Sequence, residues 1–187
     1  WSICESRCGG DIRLHGRSIS VLEVVDKLQS MAETYLHQRQ VPDLRHDFDR
    51  SLFNALRGAL PREARQMSTS RHVDDRGWLV ESVKVHSGGQ CFVSSTKPGI
   101  TRGNHFHRRK FERFFVLQGK ARISLRKLFT DEVISYEVCG EDATYVDMPT
   151  LHTHSITNVG GDELITLFWT NEFFDPQKPD TYFEKVV

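Results

Sequence analysis

The stretch GITRGNHFHRRKFERFFVLQG, residues 99–119, determines how the rest of this sequence is interpreted. His105 and His107 lie two residues apart in it, so on a β-strand their side chains would point to the same face. Glu112 follows on an apparent next strand, and a third histidine, His154, lies downstream in PTLHTHSITN. Three imidazoles and a carboxylate are ligands that Zn²⁺, Fe²⁺, Mn²⁺ or Ni²⁺ accept. The spacing therefore predicts a divalent metal site; the alternative is a set of hydrogen-bonded core histidines.

The same spacing resembles the two sequence motifs of cupins. The first motif, G-x5-H-x-H-x3,4-E-x6-G, is filled without a gap by Gly99, His105, His107, Glu112 and Gly119. The second motif, G-x5-P-x-G-x2-H-x3-N, is filled at Pro149, His154 and Asn158. It departs from the pattern in two places, because eight residues rather than five separate Gly140 from Pro149 and because Leu151 replaces a glycine. The resemblance implies a cupin jelly-roll barrel.

The hydrophobic pattern agrees with a barrel that follows a short helical segment. Ser20 and Glu23 have the spacing of a capping box, apolar residues recur at helical spacing from Val21 to Tyr35, and a second helix is predicted from about Asp47 to Leu60. The polar residues 61–70 are interpreted as a linker. About eight short strands are predicted after it, at Trp78–Val85, Gln90–Ser95, Glu112–Leu117, Ala121–Leu128, Val133–Val138, Thr144–Met148, His154–Thr157 and Glu163–Trp169. The predicted fold is mainly β, with a helical segment over residues 1–70 and a cupin domain over 71–187.

In such a barrel, inward-facing residues alternate with outward-facing ones. We expect His105 and His107 to face inwards from one strand and Phe106 between them to point outwards. Glu112 should then face inwards from the hairpin partner of that strand, and His154 from a strand across the barrel.

Two residues beside the predicted ligands are candidates for acid–base chemistry. Lys110 lies between His107 and Glu112, and a nearby cation would disfavour its ammonium form and make it a better base. The alternative for Lys110 is a solvated hairpin lysine. His152 lies two residues before His154, so it either shares that face or belongs to the preceding loop.

Composition excludes some classes of function. The 25 basic and 25 acidic side chains cancel, and the densest basic cluster lies inside the metal motif, so nucleic-acid binding has little electrostatic support. No apolar run approaches the length of a membrane span, and the N-terminus lacks the pattern of a signal peptide. The cysteines at positions 4, 8, 91 and 139 have no paired metal-binding pattern, which favours reduced thiols in a cytoplasmic protein.

A closer resemblance extends beyond the cupin motif. The segments that carry it are VDDRG (73–77), KPGITRGNHFH (97–107), TDEVISYEVCGED (130–142) and THSITNVGGDELITLFWTNEFFDPQKPDTYFEKV (153–186). They resemble the C-terminal cupin domain of CapF/WbjC-type enzymes, which are bifunctional epimerase/reductases of capsular polysaccharide biosynthesis. The resemblance is weaker over residues 19–61, where that family has the end of its short-chain dehydrogenase/reductase domain.

This resemblance implies an activity. The family's cupin epimerises a UDP-linked 4-keto-6-deoxy-N-acetylhexosamine at C3, and its reductase then uses NADPH, on the way to UDP-N-acetyl-L-fucosamine. Carried over by position, the metal ligands are His105, His107, Glu112 and His154, with zinc as the expected metal; Lys110 falls on a lysine of the family motif. A UDP-sugar substrate and a homodimer are also implied. The family has PPG at 149–151 and an aromatic residue at 152, and this sequence departs from it there.

The reductase itself is not expected from this sequence. It contains no glycine-rich phosphate turn after a strand and no Tyr-x3-Lys pair, so NADPH binding is not predicted. Other functions stay open: another metal-dependent cupin enzyme, such as a sugar ketoisomerase or an Fe²⁺ dioxygenase, or a non-catalytic module for sugar binding or dimerisation.

Overall fold

The computed structural model describes residues 18–187, so Cys4 and Cys8 lie outside the described part. Two helices come first: α1, Val21–Ala32, continues as a π-helix, Glu33–His37, and α2 spans Asp47–Ala59. A 3₁₀ turn, Arg62–Arg65, follows. No helix among the described residues is long and apolar enough to cross a membrane. The assignment of the helical segment to the end of a reductase domain stays a prediction.

The helices begin where the sequence predicts. Ser20 caps α1, because its hydroxyl accepts from the Glu23 N–H at 3.2 Å while the Glu23 carboxylate accepts from the Ser20 N–H at 3.0 Å. The two helices pack through the edge-to-face rings of Tyr35 and Phe53, whose centroids lie 5.1 Å apart. Phe53 is buried, but the first turn of α1 leaves Val21 exposed.

Eleven strands in the described part of the chain form two antiparallel sheets. They are β1 (Arg71–Asp74), β2 (Gly77–Val85), β3 (Gly89–Thr96), β4 (Thr101–Phe106), β5 (Glu112–Gln118), β6 (Lys120–Lys127), β7 (Val133–Cys139), β8 (Tyr145–Met148), β9 (His152–Asn158), β10 (Leu164–Thr170) and β11 (Tyr182–Phe183). One sheet has the order β1-β2-β3-β10-β5-β8 and the other has β11-β4-β9-β6-β7. The predicted mainly-β cupin jelly roll preceded by two helices is confirmed.

The core lies between the inner faces of these sheets. Val116 and Leu164 from the first sheet and Ala121 and Ile123 from the second are completely buried. Burying a side chain of the size of valine or leucine contributes about 1.5–3 kcal/mol, so this layer holds the two sheets together. The alternation of apolar and polar residues along β6 is the sequence pattern that makes one face of that strand part of this layer.

Two expectations about strand pairing were wrong. β5, which begins at Glu112, is not the hairpin partner of β4, because it pairs with β10 and β8 in the other sheet. His154 does not lie across the barrel, because β9 pairs directly with β4 and places His154 opposite His105. The reason lies in residues 107–111, which cross between the sheets; the backbone N–H groups of 108–110 bond to a carboxylate rather than to a neighbouring strand.

A glycine makes the close approach of β4 and β9 possible. Gly103 has φ +95°, and a Cβ there would lie 2.6 Å from the carbonyl oxygen of His154. We expect Gly103→Ala to lower the free energy of unfolding by about 2–4 kcal/mol, because the side chain would both strain the backbone and separate the strands. Thermal or denaturant unfolding of the two proteins measures this difference.

Two further glycines serve as controls for that prediction. Gly99 also has a positive φ, +74°, but a Cβ there would meet no atom within 4 Å, so Gly99→Ala should show the backbone strain alone. Gly161 has open space and no positive φ, so Gly161→Ala should be close to neutral. A Gly103→Ala variant no less stable than Gly99→Ala would contradict the steric argument.

Candidate metal centre

The four ligands predicted from the sequence come together at one end of the barrel. The ligand atoms of His105, His107, Glu112 and His154 all lie within 4.8 Å of one another. The Oε2 atom of Glu112 is at the centre of the group, at 3.9, 3.4 and 3.1 Å from the Nε2 atoms of His105, His107 and His154. Three of the four side chains are buried and His105 is half-buried.

Both sheets contribute to this cluster. His105 on β4 and His154 on β9 are directly paired, and their ring centroids lie 4.6 Å apart. His107 lies one residue beyond the end of β4, where the chain leaves the sheet. Glu112 is the first residue of β5 and reaches the rings from the opposite sheet. Phe106 stacks on Tyr182 with ring centroids 5.2 Å apart, away from this cluster.

The hydrogen bonds of the imidazoles determine which nitrogen faces the cluster. His107 Nδ1 bonds to the backbone carbonyl of Asp180, and His154 Nδ1 bonds to that of His152 at 3.3 Å. A carbonyl oxygen accepts a proton and cannot donate one, so His107 Nδ1 carries the hydrogen and the Nε2 of its neutral ring has a free lone pair. His154 Nε2 lies 3.1 Å from Glu112 Oε2, and this contact is a hydrogen bond only when that nitrogen carries a proton. A backbone carbonyl that holds Nδ1 in this way is the usual support of a metal-binding histidine.

The lone pair of His107 Nε2 faces the Glu112 carboxylate at 3.4 Å, and an ionised carboxylate also offers only lone pairs. In the described part of the chain, His107 Nε2 is buried and has no hydrogen-bond partner. An orphaned buried acceptor of this kind is costly unless a cation or a donor satisfies it. The donor set therefore fits a divalent metal, with nitrogen and oxygen ligands that suit Zn²⁺ and its neighbours.

The ionisation of the cluster agrees with this interpretation. Burial alone would raise the pKa of the Glu112 carboxyl, but N–H donors or positive charge on the three imidazoles outweigh burial and hold this pKa well below the ordinary value, and a bound cation would act in the same direction. Burial lowers the pKa of His105, which favours its neutral ring. A carboxylate and neutral imidazoles are the forms that bind a metal, because a ligand must lose its proton first.

Asp180, which the sequence patterns did not single out, holds this loop in place. Its carboxylate accepts from the backbone N–H of Arg108 at 3.1 Å and from those of Arg109 and Lys110 at 2.9 Å each. Its own carbonyl oxygen is the partner of His107 Nδ1. One buried residue from the segment before β11 therefore both fixes the crossing between the sheets and orients a ligand.

The charge state of Asp180 suits this role. Burial raises the pKa of its carboxyl, but the N–H groups of residues 108–110 more than offset that effect, so the pKa lies below the ordinary value. Asp180 has φ +42°, a conformation that aspartate and asparagine adopt more readily than most residues. The segment around it belongs to the stretch 153–186 that carries the family resemblance, but no spacing rule connects it to a loop some 70 residues earlier.

The structure places the two acid–base candidates differently. Lys110 is buried; its Nζ donates to the carbonyl oxygen of Pro179 at 2.8 Å and lies 5.7 Å from the ring centroid of Phe174. Burial lowers the pKa of Lys110. His152 is half-buried, and its Nδ1 bonds to the carbonyl of Thr150 at 3.0 Å. Lys110 shares a cavity with the cluster, whereas His152 is not among the residues that line that cavity.

This cavity has a volume of about 570 Å³, which is within the range of small-molecule sites. His105, His107, Glu112 and Lys110 line one part of it. The stacked rings of Phe92 and Phe168, with centroids 5.0 Å apart, line another. A larger depression of about 670 Å³ lies elsewhere, around residues 117–120, 139–141 and 159–162, and none of the four ligands contributes to it.

The chain is similar to known proteins of polysaccharide biosynthesis. The family model described as the polysaccharide biosynthesis C-terminal domain matches residues 72–182. The UDP-2-acetamido-2,6-beta-L-arabino-hexul-4-ose reductase of Pseudomonas aeruginosa strain PA103 is 39% identical over 135 residues, which are 71% of this chain and 36% of that protein.

Two solved structures are also similar. The capsular polysaccharide assembling protein CapF from Staphylococcus aureus is 39% identical, with a TM-score of 0.82 over 90% of this chain and 49% of that one. A structure of CapF with the inhibitor 3-isopropenyl-tropolone is 40% identical, with a TM-score of 0.79 over 88% of this chain and 48% of that one. The resemblance to CapF-type proteins is confirmed, and the chain spans half or less of the length of these relatives.

Proposed function

The chain belongs to the family of the polysaccharide biosynthesis C-terminal domain, and from this membership and the metal centre we propose that it epimerises a nucleotide-linked keto sugar. The reaction is metal-dependent inversion at C3 of a UDP-4-keto-6-deoxy-N-acetylhexosamine in capsular polysaccharide biosynthesis. The observation that carries the proposal is the cluster of three imidazoles and a carboxylate, of which His105, His107 and Glu112 line one cavity together with the Lys110 side chain.

The substrate class follows from the relatives. The name of the Pseudomonas aeruginosa reductase describes a UDP-linked acetamido sugar with a ketone at C4. C3 of such a sugar lies next to the ketone, so its proton is acidic because its loss gives an enolate. Since this chain spans 36% of that relative, the proposal concerns the epimerisation and not the reduction.

The residues divide the chemistry among them. A metal held by His105, His107, Glu112 and His154 would act as a Lewis acid that stabilises negative charge on the ketone oxygen. Lys110 takes the C3 proton from one face of the sugar, and an acid returns a proton to the other face. The stacked Phe92 and Phe168 give that part of the cavity an apolar wall. His152 stays the second candidate for proton transfer, to be tested beside Lys110.

The proposal is tested by exchange with solvent. In D₂O, the metal-loaded protein should incorporate deuterium at C3 of a UDP-4-keto-6-deoxy-N-acetylhexosamine, which mass spectrometry or NMR detects. Metal-loaded protein that gives no exchange above background would end the proposal. Nucleotide-sugar binding without exchange would instead favour a non-catalytic module, and bound iron with oxygen uptake would favour a dioxygenase.

Lys110→Met should reduce the exchange rate by roughly 10²–10⁴-fold, because this is the usual contribution of a positioned general base. Methionine keeps most of the volume of the buried side chain but removes the amine. Metal stoichiometry should not change, since Lys110 is not in the ligand group. Lys97→Met, at an exposed position, is the control, and His152→Phe tests the second candidate. A Lys110→Met protein that exchanges normally would remove Lys110 from the mechanism.

Zinc, a homodimer and a cytoplasmic location are proposed with this function. Metal analysis of the purified protein identifies the ion, and a solution mass measurement gives the oligomeric state. Iron instead of zinc, or a monomeric mass, would change those parts of the proposal without affecting the ligand assignment.

A further inference from the structure

Strand register places four polar side chains in one line beside the metal centre. β5, β10, β3 and β2 are neighbours in the six-stranded sheet. Glu112 is paired with Thr170, Thr170 with Gln90, and Gln90 with Lys84. All four line the same cavity, so this polar row begins at a metal ligand and continues across the sheet. With about 4.8 Å between strands, the row is roughly 14 Å long.

The two middle members of the row are buried without partners. Gln90 is 2% exposed and Thr170 is 3% exposed. Within residues 18–187, Gln90 Oε1 and Thr170 Oγ1 form no hydrogen bond. A buried polar group left unsatisfied costs about 1–3 kcal/mol, so two of them side by side in a cavity wall are expensive unless a ligand uses them.

The next row along the same strands is apolar. Phe114, Phe168 and Phe92 occupy the positions two residues further from the metal centre on β5, β10 and β3. Phe168 lies 5.5 Å from Phe114 and 5.0 Å from Phe92, measured between ring centroids. The cavity therefore combines an aromatic floor with a polar edge, which is the usual composition of a small-molecule site.

The outer end of the row carries the ammonium group of Lys84 beside the carboxylate of Glu81. A register shift between Glu81 and Val83 brings both Glu81 and Lys84 to the cavity face. Lys84 Nζ lies 3.7 Å from Glu81 Oε2 and 5.0 Å from the ring centroid of Phe173. Its side chain is 21% exposed, so Lys84 lines the cavity and remains partly accessible to solvent.

We propose that Thr170, Gln90 and Lys84 form the binding subsite for the part of a nucleoside diphosphate sugar that extends away from the metal. Hydroxyl or amide groups of the hexose bond to Thr170 and Gln90, and the diphosphate lies at Lys84. This inference rests on the proposed function, because it takes the substrate class from it. The length of the row matches a hexose followed by a diphosphate better than it matches a small carboxylic acid.

Binding of UDP-N-acetylglucosamine to the metal-loaded 187-residue chain tests the subsite by calorimetry. This probe carries no ketone, so the result does not depend on whether epimerisation occurs. Gln90→Leu, Thr170→Val and Lys84→Met should each weaken binding by roughly 3- to 10-fold, as expected for the loss of one hydrogen bond or one exposed charge contact. Gln90→Leu and Thr170→Val should not lower the thermal midpoint, because each removes an unsatisfied buried group.

Thr166→Val is the matched control. Thr166 lies on the same face of β10, is 2% exposed and has an unpartnered Oγ1 within the described residues, but it does not line the cavity. Its replacement should leave probe binding unchanged. Gln90→Met is a second variant in case Gln90→Leu does not fold.

The outcomes separate this inference from the proposed function. The subsite is supported if Gln90→Leu, Thr170→Val and Lys84→Met bind the probe more weakly while Thr166→Val binds it as the wild type does. This conclusion holds even if no deuterium exchange is found. No binding of the probe at millimolar concentration, or equal affinity in wild type, Gln90→Leu and Thr170→Val, overturns the subsite even if exchange occurs.

Discussion

Replacement of Glu112 by glutamine should abolish stoichiometric metal binding and, with it, deuterium exchange at C3. Glu112 supplies the one carboxylate of the ligand group found in the described residues, and its Oε2 lies within 3.1–3.9 Å of three imidazole nitrogens. Glutamine keeps the shape but loses the charge, and its amide nitrogen has no lone pair for a metal. Since loss of a supporting residue alone costs 10–100-fold in metal affinity, we expect a loss of roughly 100-fold or more.

Stability measurements make this prediction sharper. Metal should raise the thermal midpoint of the wild type, because a ligand that binds the folded state alone stabilises it by mass action. The Glu112→Gln protein should lose this shift, yet its metal-free form should fold, because an amide can donate to the His107 Nε2 lone pair and accept through its oxygen from His154. Competition with a chelator of known affinity measures the metal affinity directly.

Glu172→Gln is the control for the Glu112 prediction. Glu172 lies near residues 107–111, because its carboxylate pairs with Arg109 at 3.1 Å, but it is outside the ligand group. Its replacement should change neither metal affinity nor the metal-induced shift of the thermal midpoint. One equivalent of metal bound by Glu112→Gln with wild-type affinity would contradict the assignment of the centre.

The clustering of the four proposed ligands was predictable because each ligand type is chemically distinctive and the spacing is fixed by strands. His105 and His107 could be assigned to one inward-facing stretch because β-strands alternate sides. The strand itself was not among the eight predicted from hydrophobicity, since TRGNHF in β4 contains a single large apolar side chain. Chemistry rather than hydrophobic pattern therefore identified β4.

The pairing of the strands was not predictable in the same way. Nearness in sequence suggested that Glu112 lies on the hairpin partner of β4, but the backbone of 108–110 bonds to Asp180 and the chain crosses to the other sheet. That contact joins residues about 70 positions apart. The polar row that runs from Glu112 to Gln90 likewise exists only through the register of three paired strands. Such contacts depend on the complete fold, and local sequence patterns do not contain them.

Replacement of Asp180 by asparagine should lower metal affinity by roughly 10–100-fold although Asp180 is not a ligand. Its carboxylate accepts hydrogen bonds from three consecutive backbone N–H groups. A hydrogen bond to a charged group contributes about 1.5–3 kcal/mol, although the contributions of three neighbouring bonds do not simply add. Asparagine offers one oxygen and turns an NH₂ group towards the same donors. The loop that contains His107 should then be held less tightly, and a supporting contact of this kind sets metal affinity within about that range.

The choice of asparagine separates the carboxylate from the backbone. Asp180 has φ +42°, and asparagine tolerates this conformation about as well as aspartate, so the carbonyl that bonds to His107 Nδ1 should stay in position. Asp180→Ala adds backbone strain and should be worse in both stability and metal affinity. Asp175→Asn, at an exposed position of the same segment, is the control and should match the wild type.

Hydrogen exchange distinguishes positioning from simple stabilisation. In Asp180→Asn the backbone amides of residues 108–110 should exchange faster than in the wild type, while those of β6 and β9, in the sheet interior, should keep their protection. If metal affinity fell only in proportion to a loss of global stability, with all amides affected alike, Asp180 would be a structural residue. The alternative result is a local loss of protection together with weaker metal binding in an otherwise stable barrel. That result would show that the Asp180 carboxylate positions residues 107–111, because the substitution would then affect His107 through its loop and not through the stability of the whole barrel.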